Sequence, residues 1–310
     1  MLKNNPRSLA TGLALALAGS IAFSAKAIIV KLAYRHGVDA VTLIMLRMLF
    51  ALPFFLLIVW WSARKAQSAN QPPLTAKDWW GILGLGITGY YLASFFDFAG
   101  LAYISASLER LILYLNPTLV VMLGLFLYGR HISRHQVGGM VISYCGVLVV
   151  FGHEVNLAGS HVALGAVLVF LSAVSYAIYL SYSGEMVQRL GSLRLVGLAT
   201  SVACILCIGQ YLLLRPWDAV LAVAPQVLWL SVLNATLCTV IPVLLVMMAI
   251  ERIGAGMSAQ VGMVGPFSTI FLSVFLLDEP FNAYVAVGTA FVLVGIFVFT
   301  RTQAKAPEPV

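Results

Sequence analysis

Apolar runs of roughly 20 residues follow one another along the chain, each ended by a short polar link. The pattern predicts ten spanning helices, at about 10–33, 41–61, 79–101, 105–127, 136–152, 162–184, 194–214, 226–248, 254–277 and 281–300. In lipid a segment must satisfy its own backbone hydrogen bonds, so runs of this length read as helices. The longest link extends from Ser62 to Lys77 and contains Pro72-Pro73. The expected fold class is an all-α polytopic membrane protein without a soluble domain.

The pattern also repeats. Ile104 to Phe151, moved 149 positions without a gap, lands on Ile253 to Thr300. Pro117 falls on Pro266, Leu123 on Leu272, Phe126 on Phe275, Gly139 on Gly288 and Gly146 on Gly295. Helix-perturbing residues in register argue for internal duplication. The expected organisation is a first five-helix repeat over 1–152 and a second over 153–310. Five is odd, so the second copy enters the membrane in the opposite sense, as two inverted repeats.

Composition strengthens the membrane reading. The chain is 61% hydrophobic and 9% charged, with a mean hydropathy of +0.99; a soluble chain carries about 25% charged residues. The net charge of +7 is scattered through links, which argues against a nucleic-acid partner. Its distribution sets orientation instead. With the N-terminus inside, one side holds Lys3, Arg7, Arg64, Lys65, Lys77, Arg130, Arg134, Arg189, Arg194, Arg252, Arg301 and Lys305, against Arg35 and Arg215 on the other. The rule that positive charge stays inside then puts both termini in the cytoplasm. The first run resembles a signal peptide, with Ala25-Lys26-Ala27 imitating a cleavage site, but its apolar character resumes at Ala27, so a retained helix is expected.

Ionisable groups inside spans cost on the order of 3 kcal/mol each and need a reason. Lys26, Lys31, Arg47, Asp97, Glu109 and Arg110 all fall in the outer half of the first repeat. One reading is structural: Arg47 pairs with Asp97, Lys26 or Arg110 pairs with Glu109, and Lys31 snorkels outward. The other is a net-positive chamber that receives a carboxylate or zwitterion, with Glu109 or Asp97 carrying a proton. Helical spacing puts Glu109, Leu113 and Asn116 on one face, ahead of a bend at Pro117; Gln260 precedes the matching bend at Pro266. Tyr90, Ser94 and Asp97 share a face of the third span, and Tyr176 and Tyr179 lie on the sixth. Asn234 lies on the eighth. Lys26, Tyr90, Ser94, Asp97, Glu109, Arg110, Asn116, Tyr176, Tyr179, Asn234 and Gln260 form the candidate substrate-binding set, with Arg47 in an ion pair.

Other chemistry has no footing in the sequence. There is no Gly-x-x-x-x-Gly-Lys-[Ser/Thr] loop, no Gly-x-Ser-x-Gly elbow and no His/Glu metal spacing. No catalytic residue, cofactor or metal is expected. The five histidines sit in links, where solvation is the simplest reading. Cys204-Ile-Leu-Cys207 lies within an apolar run and reads as packing. The partners expected are a small-molecule substrate, membrane lipid and protons as coupling ion.

Phe23-Ser24-x-Lys26, Leu46-Arg47-x-x-x-Ala51, Gly100-Leu101-x-Tyr103-x-Ser105-Ala106, Asn116-Pro117, Gly265-Pro266 and Asp278-Glu279-Pro280 together resemble the drug/metabolite transporter superfamily, EamA type. That resemblance covers nearly the whole chain. It implies a ten-helix inverted-repeat bundle, a central cavity lined by both halves and efflux of small metabolites, often amino acids, by alternating access. The chain departs from the family at Arg130, where an acidic residue is usual, and in its Glu109-Arg110 pair.

Overall fold

The computed structural model describes residues 6–68, 73–129, 132–158, 160–253, 255–262 and 264–303. Lys3, Arg130, His131 and Lys305, which entered the charge count or the links, lie outside them, as does the side chain of Gln260. Among the described residues the chain is helical throughout, without a strand. It begins with α1 (Pro6–Tyr34) and α2 (Ala40–Ser68). The third rod is α3 (Ala76–Gly86), a π-turn (Ile87–Leu92) and α4 (Ala93–Leu101). The fourth divides into α5 (Ala106–Leu113) and α6 (Asn116–Tyr128). Next come α7 (Arg134–Ala158), α8 (Ser160–Leu190) and α9 (Ser192–Leu214). A rod of α10 (Pro225–Ala235), a π-turn (Thr236–Val240) and α11 (Ile241–Ile253) leads to α12 (Ala255–Gly262), α13 (Gly265–Leu277) and α14 (Ala283–Gln303).

Eight of these helical stretches are long and apolar enough to cross a membrane, and Gly265–Leu277 and Ala283–Phe299 are shorter apolar helices. The stretches expected as the ninth and tenth spans are occupied by α12 with α13 and by α14. The ninth is divided near Val264, because Pro266 at the start of α13 supplies no amide to the preceding turn. Pro117 does the same at the start of α6, where Leu115 leaves the helix with ψ −7°. Elsewhere helices outrun their apolar cores: α2 continues to Ser68, so the polar link after it is shorter than expected. The region around Ala25-Lys26-Ala27 is uninterrupted helix.

Element boundaries recur at the spacing of the sequence repeat. The π-turns begin at Ile87 and Thr236, the short helices cover Ala106–Leu113 and Ala255–Gly262, and their continuations cover Asn116–Tyr128 and Gly265–Leu277. Gly129 and Asp278 end those continuations in the same left-handed conformation, at φ 62° and 58°. Glycine adopts it freely, whereas Asp278 is the one non-glycine residue with positive φ among the described residues.

α7 and α14 pack backbone to backbone. A Cβ on Gly139 would lie 2.6 Å from the Gly295 carbonyl oxygen, and one on Gly146 would lie 2.6 Å from that of Gly288. Small residues at both crossings let the two helices approach this closely. The main apolar core joins α1, α2 and α4 through Val30, Leu43, Met48 and Phe98, with Cys204 and Cys207 of α9 packed into it. Cys204 lies 3.7 Å from the Met48 sulfur, so this CxxC pair serves packing.

Candidate functional site

α1, α4 and α5 bring Lys26, Asp97 and Glu109 together inside the bundle. Lys26 Nζ donates to Asp97 Oδ2 and stands 3.4 Å from Glu109 Oε1. The two carboxyl groups are almost wholly enclosed, and the Lys26 side chain is 15% exposed. Asp97 Oδ1 and both Glu109 oxygens receive no hydrogen bond. One ammonium therefore serves two carboxylates in a region where leaving a charge unpaired is expensive.

The two arginines of the site turn to the second half of the chain. Arg110 Nε donates to Thr269 Oγ1 of α13 at 2.8 Å, while its Nη2 is buried without a partner. Arg47 Nε donates to Thr239 Oγ1 at 3.0 Å, and its guanidinium lies 5.2 Å from the centre of the Phe98 ring. The expected Arg47–Asp97 pair is thus not formed. Lys26 from the neighbouring helix takes Asp97, and the π-turn that carries Thr239 offers Arg47 a neutral acceptor within reach. π-turns of this kind often accompany functional sites.

Second-half groups missing from the candidate set complete the enclosure. Ser24 Oγ donates to the Gly265 carbonyl at 2.9 Å, and Tyr114 Oη to that of Gly262 at 2.6 Å. These carbonyls flank the α12–α13 break that Pro266 produces. In the sequence, Gly262 and Gly265 are marked only by their place ahead of Pro266.

The remaining candidates fall into separate places. Tyr90 and Tyr179 share a hydroxyl contact of 3.2 Å, and Tyr179 stacks on Tyr176 with ring centres 5.5 Å apart. Gly89 makes room for this trio, since a Cβ there would strike the Tyr179 ring. Ser94 is half-buried. Asn234 is fully buried, and neither its side-chain Nδ2 nor its Oδ1 has a hydrogen-bond partner. Asn116 begins α6 beyond the helix break, so the register expected to link it with Glu109 and Leu113 is interrupted there.

Two histidines depart from simple solvation, whereas His36 and His135 are exposed as expected. His153 lies in α7 and stacks on Tyr284 at 4.1 Å, with Asn282 Nδ2 2.9 Å from its Nε2. His161 stacks on Tyr103. Lys31 does not simply snorkel into solvent; it lies within electrostatic reach of Glu154 and Glu279.

The EamA-like transporter family model matches residues 10–152 and again residues 163–301. An uncharacterized transporter of Bacillus subtilis (strain 168), YcbK, is 30% identical over 307 residues, covering 94% of each chain. A probable amino-acid metabolite efflux pump of Escherichia coli (strain K12) is 34% identical over 98 residues, 31% of this chain and 32% of that one. A solved crystal structure superposes with a TM-score of 0.62 at 17% identity, over 96% of this chain and 99% of the other, a likeness of fold.

Proposed function

The chain belongs to the EamA-like transporter family, and we propose that it is a secondary carrier exporting small polar metabolites, amino acids first among them, across a cytoplasmic membrane. Ten crossings, arranged as two inverted five-helix repeats, rock about a shared site to alternate access. Both termini lie in the cytoplasm, following the bias of Lys and Arg.

The duplication is supported by element boundaries that recur at the spacing of Pro117 and Pro266. Inversion is supported by crosswise packing. Gly139 and Gly146 are repeat equivalents of Gly288 and Gly295, yet Gly139 meets Gly295 and Gly146 meets Gly288. Reciprocal pairing of this kind is what a two-fold axis across antiparallel helices produces.

The observation that carries the transport reading is the buried group of Lys26, Asp97 and Glu109, with Arg110 Nη2 free beside it. Glu109 exchanges a proton during the cycle, and Arg110 with Lys26 holds the substrate carboxylate. Tyr90, Ser94, Asn116, Tyr176, Tyr179, Asn234 and Gln260 line the path or support it. The resemblance of one stretch to an amino-acid metabolite efflux pump supports amino acids as cargo. Purified protein in proteoliposomes, screened against amino acids for saturable flux and counterflow, tests the reading. Flux that neither saturates nor shows counterflow overturns it.

A further inference from the structure

A second polar cluster closes the end of the bundle where α4 finishes at Leu101 and α13 at Leu277. Its centre is the first turn of α5, whose leading amides have no partner within the helix. Glu154 of α7 accepts from the Ser105 amide at 3.2 Å and from the Ser105 hydroxyl. Glu279, in the link between α13 and α14, accepts from the amides of Ala106 at 2.8 Å and Ser107 at 3.4 Å, and from the Ser107 hydroxyl at 3.0 Å. Two carboxylates, one from α7 and one from the α13–α14 link, thus grip one helix start, where the helix dipole favours negative charge. Lys31 supplies positive charge nearby, and Arg35 Nη2 ties the same end of α1 to the Leu277 carbonyl at 2.6 Å. Just below the grip, Ser107 and Ser273 hydroxyls meet at 3.1 Å. Glu109 lies within the first turn that the grip holds.

The sequence repeat carries no counterpart of this cluster. At the same offset Ser105 corresponds to Gly254, Ser107 to Gly256, Glu154 to Gln303 and Glu279 to Arg130. Both hydroxyls and both carboxylates are gone, and one carboxylate is replaced by a cation.

The geometry points to Glu154 and Glu279 as a one-sided clasp on α5, which keeps the carrier shut above Glu109 at that end and sets its resting state open toward the other. This rests on the alternating-access reading. The two carboxylates are positioning residues: they touch no substrate and act through the helix that presents Glu109. Charge bias assigns the clasped end to the outer face.

The test uses the full chain with its four native cysteines changed to alanine. Reporter cysteines are placed below the clasp (Ser273→Cys) or toward the other end of α1 (Ser20→Cys). A membrane-impermeant maleimide is added to membranes of known sidedness. With the clasp intact, Ser273→Cys labels slowly from outside. Glu154→Ala combined with Glu279→Ala is expected to raise that rate about tenfold or more, the shift carried by one charge-assisted hydrogen bond. Labelling of Ser20→Cys from the cytoplasmic side should fall in parallel, whereas general loosening would raise both. Glu279→Gln, which keeps the size and loses the charge, should give a smaller change of the same sign if the double variant does not fold. Unchanged labelling at both reporters in a folded variant overturns the clasp. Reciprocal changes in labelling without any counterflow would leave the clasp standing and remove the carrier reading.

Discussion

Lys26 stands 3.4 Å from Glu109 Oε1 while its hydrogen bond goes to Asp97. A single cation thus holds two acids from two other helices, and Glu109 has the weaker share. That imbalance is the reason the proposed proton exchange is assigned to Glu109. Glu109→Gln should fold normally and transport at a rate that no longer changes with pH in proteoliposomes. A pH profile identical to the parent protein would remove Glu109 from the coupling role.

Removing the cation instead leaves two acids facing each other. Lys26→Met should lower stability by roughly 3 kcal/mol or more, as loss of one partner of a buried pair does. Adding Asp97→Asn to that variant should recover a large part of the loss. Thermal unfolding in detergent reads both steps, and absence of recovery would mean that Asp97 does not depend on Lys26.

Gly146→Val should wedge α7 away from α14, since even a Cβ would fall 2.6 Å from the Gly288 carbonyl and 2.8 Å from the Phe291 Cβ. Overpacking of this kind costs about 1–3 kcal/mol. The unfolding temperature should drop, while a change at Gly138, which meets no neighbour, should leave it in place.

Asp278 occupies the left-handed conformation that Gly129 adopts at the equivalent helix end. Asp278→Gly should therefore raise stability by about 1 kcal/mol, the strain an L residue bears there. Gly129→Ala should lower it. Paired unfolding curves decide the matter.

Asp39 lies in the link between α1 and α2, outside the spanning segments. Partial burial pushes its carboxyl up, but the Thr42 hydroxyl and amide, with Arg215, outweigh this and hold it below the usual carboxylate range. It also accepts from the Val41 amide at 3.0 Å and so caps α2. A group depressed in the folded state contributes stability above its unfolded value, about 3.9, and loses it as pH falls through the folded value. Asp39→Ala should thus reduce the unfolding temperature near neutral pH, with the difference from the parent shrinking in acid. A constant difference would sink this assignment.

How much could be read from the sequence varies by residue. The unusual presence of Lys26, Asp97 and Glu109 in apolar runs marked them directly, and depth along each run placed them at one level. Their pairing was not legible, because Asp97 had Arg47 and Lys26 as partners at similar depth. Only the rotation of α1 against α4 chose Lys26, and the π-turn bearing Thr239 gave Arg47 its alternative. Glu154 and Glu279 read in the sequence only as residues of polar links, since the α5 amides they accept from lie 49 and 173 residues away.

The sequence by itself determined a helical membrane bundle with proline breaks at matched positions, because hydropathy acts locally and the echo at an offset of 149 residues is recognised without any spatial partner. It also determined which charges are out of place, since lipid penalises each one individually. Tertiary structure alone decided which acid meets which base, that His153 stacks on Tyr284, and that two carboxylates grip one end of α5. Those outcomes depend on helix rotation and on distances of a few ångströms between segments far apart in the chain, which no local pattern encodes.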